Sequence, residues 1–236
     1  PTWNPSCAAA ADFTEYNPMT TSTQRLKTLK EALPPEVTLV AVSKTKPASD
    51  IMEAYETGHR DFGENRVQEL VEKQEALPED IRWHMIGHLQ RNKVKYLVDF
   101  VHLIHGVDSV RLLREINKRA AKAGKIVDCL LQVHIAEESS KFGFDEAELR
   151  ELFESNAAST YPNVRLRGLM GMATFTEDRE KIRREFRRLR SFYETWRPQM
   201  PDADTLSMGM SGDYDIAIAE GSNMIRVGSR IFGARN

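Results

Sequence analysis

Cysteine is scarce in this chain: 236 residues contain two, Cys7 and Cys129. Two unpatterned thiols exclude a disulfide framework and suit a reducing, cytoplasmic compartment. Cys129 falls inside the apolar run Ile126-Val-Asp-Cys-Leu-Leu-Gln-Val133, where a buried thiol is expected. Long apolar runs are missing as well, and none approaches the roughly 18 residues a membrane span needs. Neither sign of charge dominates, since 33 Lys and Arg against 35 Asp and Glu leave a net charge of -2. No global positive field therefore draws the chain to nucleic acid or anionic lipid. No Walker or dinucleotide fingerprint follows the first apolar run. Gly209-Met-Ser-Gly-Asp213 lacks the spacing of a hydrolase elbow, and no triad accompanies it. His84 and His88 have i, i+4 spacing, but Gly87 and a strand context break the helical geometry of a metal pair. One is expected to face inward and the other to lie in a loop. The first 21 residues have an alanine run but no basic n-region, so they read as a loosely ordered leader rather than a signal peptide.

The remainder, 22–236, reads as one domain with a persistent rhythm. Segments at 37–44, 81–86, 100–105, 126–135, 164–172, 205–208 and 223–227 suit strands, and Arg60-Asp-Phe-Gly-Glu-Asn65 reads as a short strand running into a polar turn. Between them lie helical patterns. One at 67–76 has Val67, Leu70, Val71 and Gln74 on a common face. Another at 177–196 carries Ile182, Phe186, Leu189, Tyr193 and Trp196 at steps of 4, 3, 4 and 3. Eight strands, each followed by a helix or turn, in a chain near the usual ~250 residues, is the pattern of a (β/α)8 TIM barrel. An open doubly wound sheet is the other architecture this order allows. In such barrels chemistry sits where strands end and helices begin. Those junctions are loaded here, while the opposite ones (Pro34-Pro35, Pro78-Glu-Asp80, Pro201-Asp202) look ordinary.

Lys44 closes the first buried run, Val37-Thr-Leu-Val-Ala-Val-Ser-Lys44, and Pro47 stops the strand from continuing. Taken alone, Lys44 and Lys46 read as surface lysines with their stems along apolar surface. A lysine amine desolvated at a barrel mouth, however, is a nucleophile for aldehydes. The last two junctions supply a counterpart. Ser211 and Gly212 after the seventh strand, and Gly228 and Ser229 after the eighth, stand where barrels commonly bind phosphate with backbone N–H groups and hydroxyls. Each loop by itself is an ordinary tight turn. Two adjacent ones opposite a strand-one lysine favour a phosphate cradle. Arg226, inside Met224-Ile-Arg-Val227, is a costly charge in a strand unless it has a partner. Amine, phosphate cradle and guanidinium donor together suit pyridoxal 5'-phosphate.

At these residues the chain resembles a known family. Ala41-Val-Ser-Lys-Thr-Lys-Pro47, Phe62-Gly-Glu-Asn65, Trp83-His-Met-Ile-Gly-His-Leu-Gln-Arg-Asn-Lys93, Leu206-Ser-Met-Gly-Met-Ser211 and Ile225-Arg-Val-Gly228 with Ile231-Phe-Gly-Ala-Arg235 are similar to motifs of the pyridoxal phosphate homeostasis proteins. The resemblance covers about residues 22–235 in unbroken order; Gly212 departs from it, standing where many relatives carry an acidic residue. It implies a barrel like the N-terminal domain of alanine racemase, without that enzyme's second β domain. It further implies pyridoxal phosphate as a Schiff base on Lys44, phosphate held by Ser211, Gly228 and Ser229, Arg226 at the pyridine nitrogen and Asn65 beside the ring. By the same resemblance the protein is a monomeric cofactor carrier without established catalysis, and apo pyridoxal phosphate-dependent enzymes are candidate recipients. The rival readings are a small racemase or decarboxylase using a mouth group such as His84, and a cofactor-free Schiff-base aldolase. Lys141 is either a second transient amine or an exposed lysine.

Overall fold

The computed structural model describes residues 20–137, 142–155 and 160–233. The leader up to residue 19, Lys141 and residues 234–236 lie outside the described residues. Eight parallel strands, β1 (Thr38–Val42), β2 (Asp61–Glu64), β3 (Arg82–Met85), β4 (Leu103–Val107), β5 (Val127–Gln132), β6 (Val164–Met170), β7 (Thr205–Ser207) and β8 (Met224–Val227), pair in chain order. β8 closes onto β1 with Val40 opposite Arg226 and Ala41 opposite Val227, so the sheet is a barrel and not an open sheet.

Around it run α1 (Ser22–Ala32), α2 (Ala48–Tyr55), α3 (Val67–Ala76), α4 (Val110–Ala123), α5 (Glu146–Glu154), α6 (Arg179–Trp196), α7 (Tyr214–Ala219) and α8 (Ser229–Phe232), with a 3₁₀ segment at Arg91–Tyr96. Thr21 opens α1 with a capping box to Gln24. Ser109 caps α4, and Gly124 ends it in the left-handed conformation, φ 65°. The stripe read from the α6 sequence is buried at every position, and Trp196 stacks on Phe153 at 5.1 Å.

Strand periodicity divides the core in two. Leu39, Ala41, Ile104, Cys129, Leu131 and Ile225 face outward into the layer between barrel and helices. Burial there pushes the Cys129 thiol well above its usual range, so it is inert. Val40, Leu103, Leu130, Met170 and Met224 form a separate cluster inside the barrel. Two residues further along the same strands stand Val42, Gln132, Met172 and Arg226, which line the mouth.

Several boundaries differ from the pattern read in the sequence. β1 ends at Val42 because Lys46 N–H turns back to the Ser43 carbonyl (3.0 Å), leaving Lys44 in a turn and not in the strand. β4 begins at Leu103, since Phe100 and Val101 donate to the Leu97 carbonyl and wind as a turn. His105 is therefore inside the strand. On α3 the third buried position is Lys73, and Gln74 is half-buried. A charged stem packs inward there because carboxylates wait behind the strand. The strand starts are also less ordinary than they looked: Arg82 pairs with Asp61 (2.6 Å), Arg165 with Asp128 (2.6 Å), and Arg167 with both Asp128 (2.9 Å) and Asp204.

Candidate functional site

A cavity of about 1040 Å³ opens at the ends of the strands. Lys44, Asn65, Ser211, Arg226, Gly228 and Ser229 all line it. Lys44 reaches it from the Ser43–Lys46 turn, whose third residue, Thr45, has φ 64°. A β-branched residue rarely adopts that left-handed conformation. The neighbouring Lys46 does not snorkel to water; its Nζ donates to the Phe232 carbonyl at the end of α8 (2.9 Å). Asn65 follows β2, and its backbone is packed by Gly87, where an added Cβ would sit 2.4 Å from the Asn65 carbonyl oxygen. Only glycine permits that approach of the two loops.

Across the closure of β8 onto β1, and so beside the Lys44 strand and not facing it from the far side, the loops after β7 and β8 are tied to each other. Ser211 Oγ accepts from Gly228 N–H (3.3 Å), and Arg230 Nε donates to the Ser211 carbonyl (2.7 Å). Asp213 fixes the turn by accepting from Met210 N–H (2.6 Å); burial raises its carboxyl pKa.

Arg226 stands at the cavity floor with 4 % of its surface exposed. It donates to Ser207 Oγ and to the Gly171 carbonyl (3.1 Å), both neutral acceptors. Among the described residues no carboxylate forms an ion pair with it. Burial pushes its pKa down to about 10, with Asp213 opposing from a distance, so it stays cationic at neutral pH. A buried cation without a counter-ion makes the cavity receptive to an anionic ligand bearing further acceptors.

Below Arg226 runs a buried chain that the sequence did not reveal. Ser207 Oγ meets His105 Nδ1 (3.2 Å), His105 Nε2 meets His84 Nδ1 (3.0 Å), and His84 Nε2 meets Asp61 Oδ1 (3.1 Å). Burial disfavours the Asp61 charge, but hydrogen bonds from Arg82 and His84 outweigh it and hold the carboxyl well below its usual range. Burial also keeps His105 neutral. A neutral His105 both donates and accepts in this chain, and the Ser207 hydroxyl, which accepts from Arg226, has its hydrogen left to donate to His105 Nδ1. Asp61 accepts from His84, His84 from His105, and His105 from the Ser207 hydroxyl, whose lone pairs are left for Arg226. The only sequence signal was histidine at alternating strand positions facing inward.

His84 is thus committed to the chain and does not line the cavity. The mouth histidine is His88, whose Nδ1 pairs with Asp108 Oδ2 (2.8 Å) and whose ring stacks on Phe142 at 4.0 Å. One histidine inside and one in the loop is the arrangement expected from the sequence. Asp61, His84 and His102 bring three possible ligand atoms within 4.8 Å of one another. Both Asp61 oxygens, however, already accept from Arg82 at 2.7 and 2.6 Å. A metal ion there would face a guanidinium, and the group serves as a hydrogen-bonding unit instead. Among the described residues no helix is long and apolar enough to cross a membrane.

A family model described as the N-terminal domain of alanine racemase matches residues 21–236, which defines the class as a barrel of that type. Pyridoxal phosphate homeostasis proteins of Vibrio alginolyticus and Escherichia coli (strain K12) are 42% and 41% identical over 208 and 207 residues. In both alignments 86% of this chain and 88% of the relative are covered. The chain belongs to the family of pyridoxal phosphate homeostasis proteins. Among solved structures, PipY of Synechococcus elongatus with pyridoxal phosphate bound is 40% identical with a TM-score of 0.82, covering 90% of this chain and 100% of that one. An alanine racemase from Bartonella henselae, 16% identical with a TM-score of 0.70 over 90% of this chain and 58% of its own, shares the fold.

Proposed function

We propose that this protein binds pyridoxal 5'-phosphate at the barrel mouth, holds it on Lys44, and buffers or hands it over to apo pyridoxal phosphate-dependent enzymes. When bound, the cofactor supplies an aldehyde with which a lysine amine condenses to a Schiff base, releasing one water. The rest of the site is this chain's own work. Ser211, Gly228 and Ser229 offer a hydroxyl pair and backbone N–H groups to the phosphate. Arg226 presents its remaining N–H donors to the pyridine nitrogen, and Asn65 borders the ring. The observation that carries this reading is Arg226, a buried cation at the floor of the cavity with only neutral partners. A guanidinium facing the ring nitrogen keeps that nitrogen unprotonated, which weakens the cofactor as an electron sink and suits a carrier. The same reading takes the protein to be a cytoplasmic monomer, with only two cysteines and no excess charge of either sign.

One specific feature favours a second reading, a small amino-acid racemase or decarboxylase. The His88–Asp108 pair borders the cavity, as a general base would. Incubation with L-amino acids distinguishes the two. A carrier leaves their chirality and mass unchanged, whereas an enzyme turns them over at roughly 1 per second or faster. The experiment for the main reading is the absorbance spectrum of purified wild-type protein beside Lys44→Ala. The wild type is expected to be yellow and the variant colourless.

A further inference from the structure

Behind the mouth, on the outer face of the barrel, lies a second polar cluster that the cofactor site leaves unexplained. Glu64 ends β2 and points outward because its neighbour Gly63 faces the interior, against Val40. Lys73 comes inward from α3 to meet it and is itself 8 % exposed. All three ammonium hydrogens have partners: Glu64 Oε1 at 2.8 Å, Glu69 Oε1 at 2.7 Å and the Ser43 carbonyl at 2.8 Å. Ser43 Oγ donates to the same Glu64 oxygen at 2.6 Å, and Thr45 N–H donates to Glu69 Oε1 at 2.6 Å. The cluster therefore grips the residue before Lys44 and the residue after it. Among the described residues it spans the one turn in which a non-glycine residue holds a positive φ.

We propose that Lys73, together with Glu64 and Glu69, is the positioning unit for Lys44, setting where its amine enters the cavity. This rests on the reading of Lys44 as the attachment residue. A buried ion pair is weak grounds for stability, since well-packed apolar side chains often do as well. Here two of the contacts are to main-chain atoms flanking residue 44, which an ion pair serving only the α3–barrel interface would not need. Burial raises the Glu64 carboxyl pKa, and its Oε2 is buried with no hydrogen-bond partner. That cost is retained in a cluster whose geometry is fixed by what it holds. The strain at Thr45 has the same logic: left-handed threonine persists only where the surroundings over-determine it.

The test separates attachment from affinity by using pyridoxal 5'-phosphate beside pyridoxine 5'-phosphate, which has the same ring and phosphate but an alcohol in place of the aldehyde. Lys73→Met is expected to weaken retention of the aldehyde about tenfold or more while changing pyridoxine phosphate binding less than about twofold. Equal weakening of both, or of neither, would overturn the positioning role. Wild-type protein that retained neither ligand would instead overturn the binding reading beneath it. Should Lys73→Met fail to fold, Glu69→Ala removes only the Thr45 contact and one Lys73 bond. In cofactor-free protein it should speed amide exchange at Thr45 and Lys46 about tenfold and leave β1 amides unchanged. Glu69→Ala should also weaken aldehyde retention, and adding Thr45→Gly, which removes the left-handed penalty, should restore it. Unaltered exchange at 45 and 46, or no rescue, would refute the proposal.

Discussion

The two ends of this barrel both carry arginines on strands, yet they use them in opposite ways. At the foot, Arg82, Arg165 and Arg167 each meet a carboxylate on an adjacent strand or at its entry, and the charges are consumed by one another. At the mouth, Arg226 has a hydroxyl and a carbonyl for company and no acid, and its charge is left for a ligand. The contrast separates a structural charge from a functional one. Residue type is the same; the end of the barrel differs, and so does whether the neighbouring strand supplies the counter-charge. Asp61 stands opposite Arg82 and Asp128 opposite Arg165, whereas Val40 stands opposite Arg226.

Substitution at each end should therefore fail differently. Arg226→Met is expected to lower pyridoxal phosphate affinity by two to three orders of magnitude, the loss typical of a buried charge-assisted contact. Because it removes an uncompensated buried cation, thermal stability of the cofactor-free protein should not fall. A large drop in melting temperature would place Arg226 with the foot residues. Acid should act mainly on the foot. His59 is buried there, its Nε2 at 2.9 Å from the Asp61 carbonyl, and burial pushes its pKa down to about 4 from the usual 6.5. The unfolded chain takes up that proton first, so the contribution is whole above pH 6.5 and is lost as the pH falls through 4. Unfolding free energy should decline by up to about 3 kcal/mol across this window, and His59→Leu should flatten the profile. Asp61, held low by Arg82 and His84, keeps contributing throughout it.

Arg82→Met should cost about 2 kcal/mol of stability by stranding the Asp61 carboxylate, discounted for the half-exposed Arg82 side chain. Denaturant titration reads this, and cofactor affinity should move far less than in Arg226→Met. The smallest effect concerns the chain linking the two ends. Nitrogen-15 spectra of cofactor-free protein at neutral pH should find His84 and His105 both carrying hydrogen on Nε2. A hydrogen on Nδ1 of either ring would reverse the polarity toward Ser207.

Much of this was legible in the sequence, for identifiable reasons. β1 and β5 announce themselves because parallel strands buried on both faces are near-continuous apolar runs, whereas β2, Asp-Phe-Gly-Glu64, is legible only from its place in the rhythm. Helix α6 is legible through its stripe; as cavity-lining residues, Lys44, Ser211, Gly228 and Ser229 are legible through their places at strand ends, Arg226 through its cost inside a strand, and Asn65 through the family resemblance. What stayed hidden depends on register and depth. Lys73 looks like a solvated helix lysine until Glu64 is seen beneath it. The foot ion pairs need strand alignment. The His84–His105 link needs the register that sets His84 opposite Leu103, which no residue pattern announces.

The most direct test is to reduce the cofactor-loaded protein with borohydride and map the modified peptide by mass spectrometry. The account predicts a pyridoxyl group on Lys44 and none on any peptide of Lys44→Ala. Modification of another lysine in the wild type, with residue 44 untouched, would contradict it.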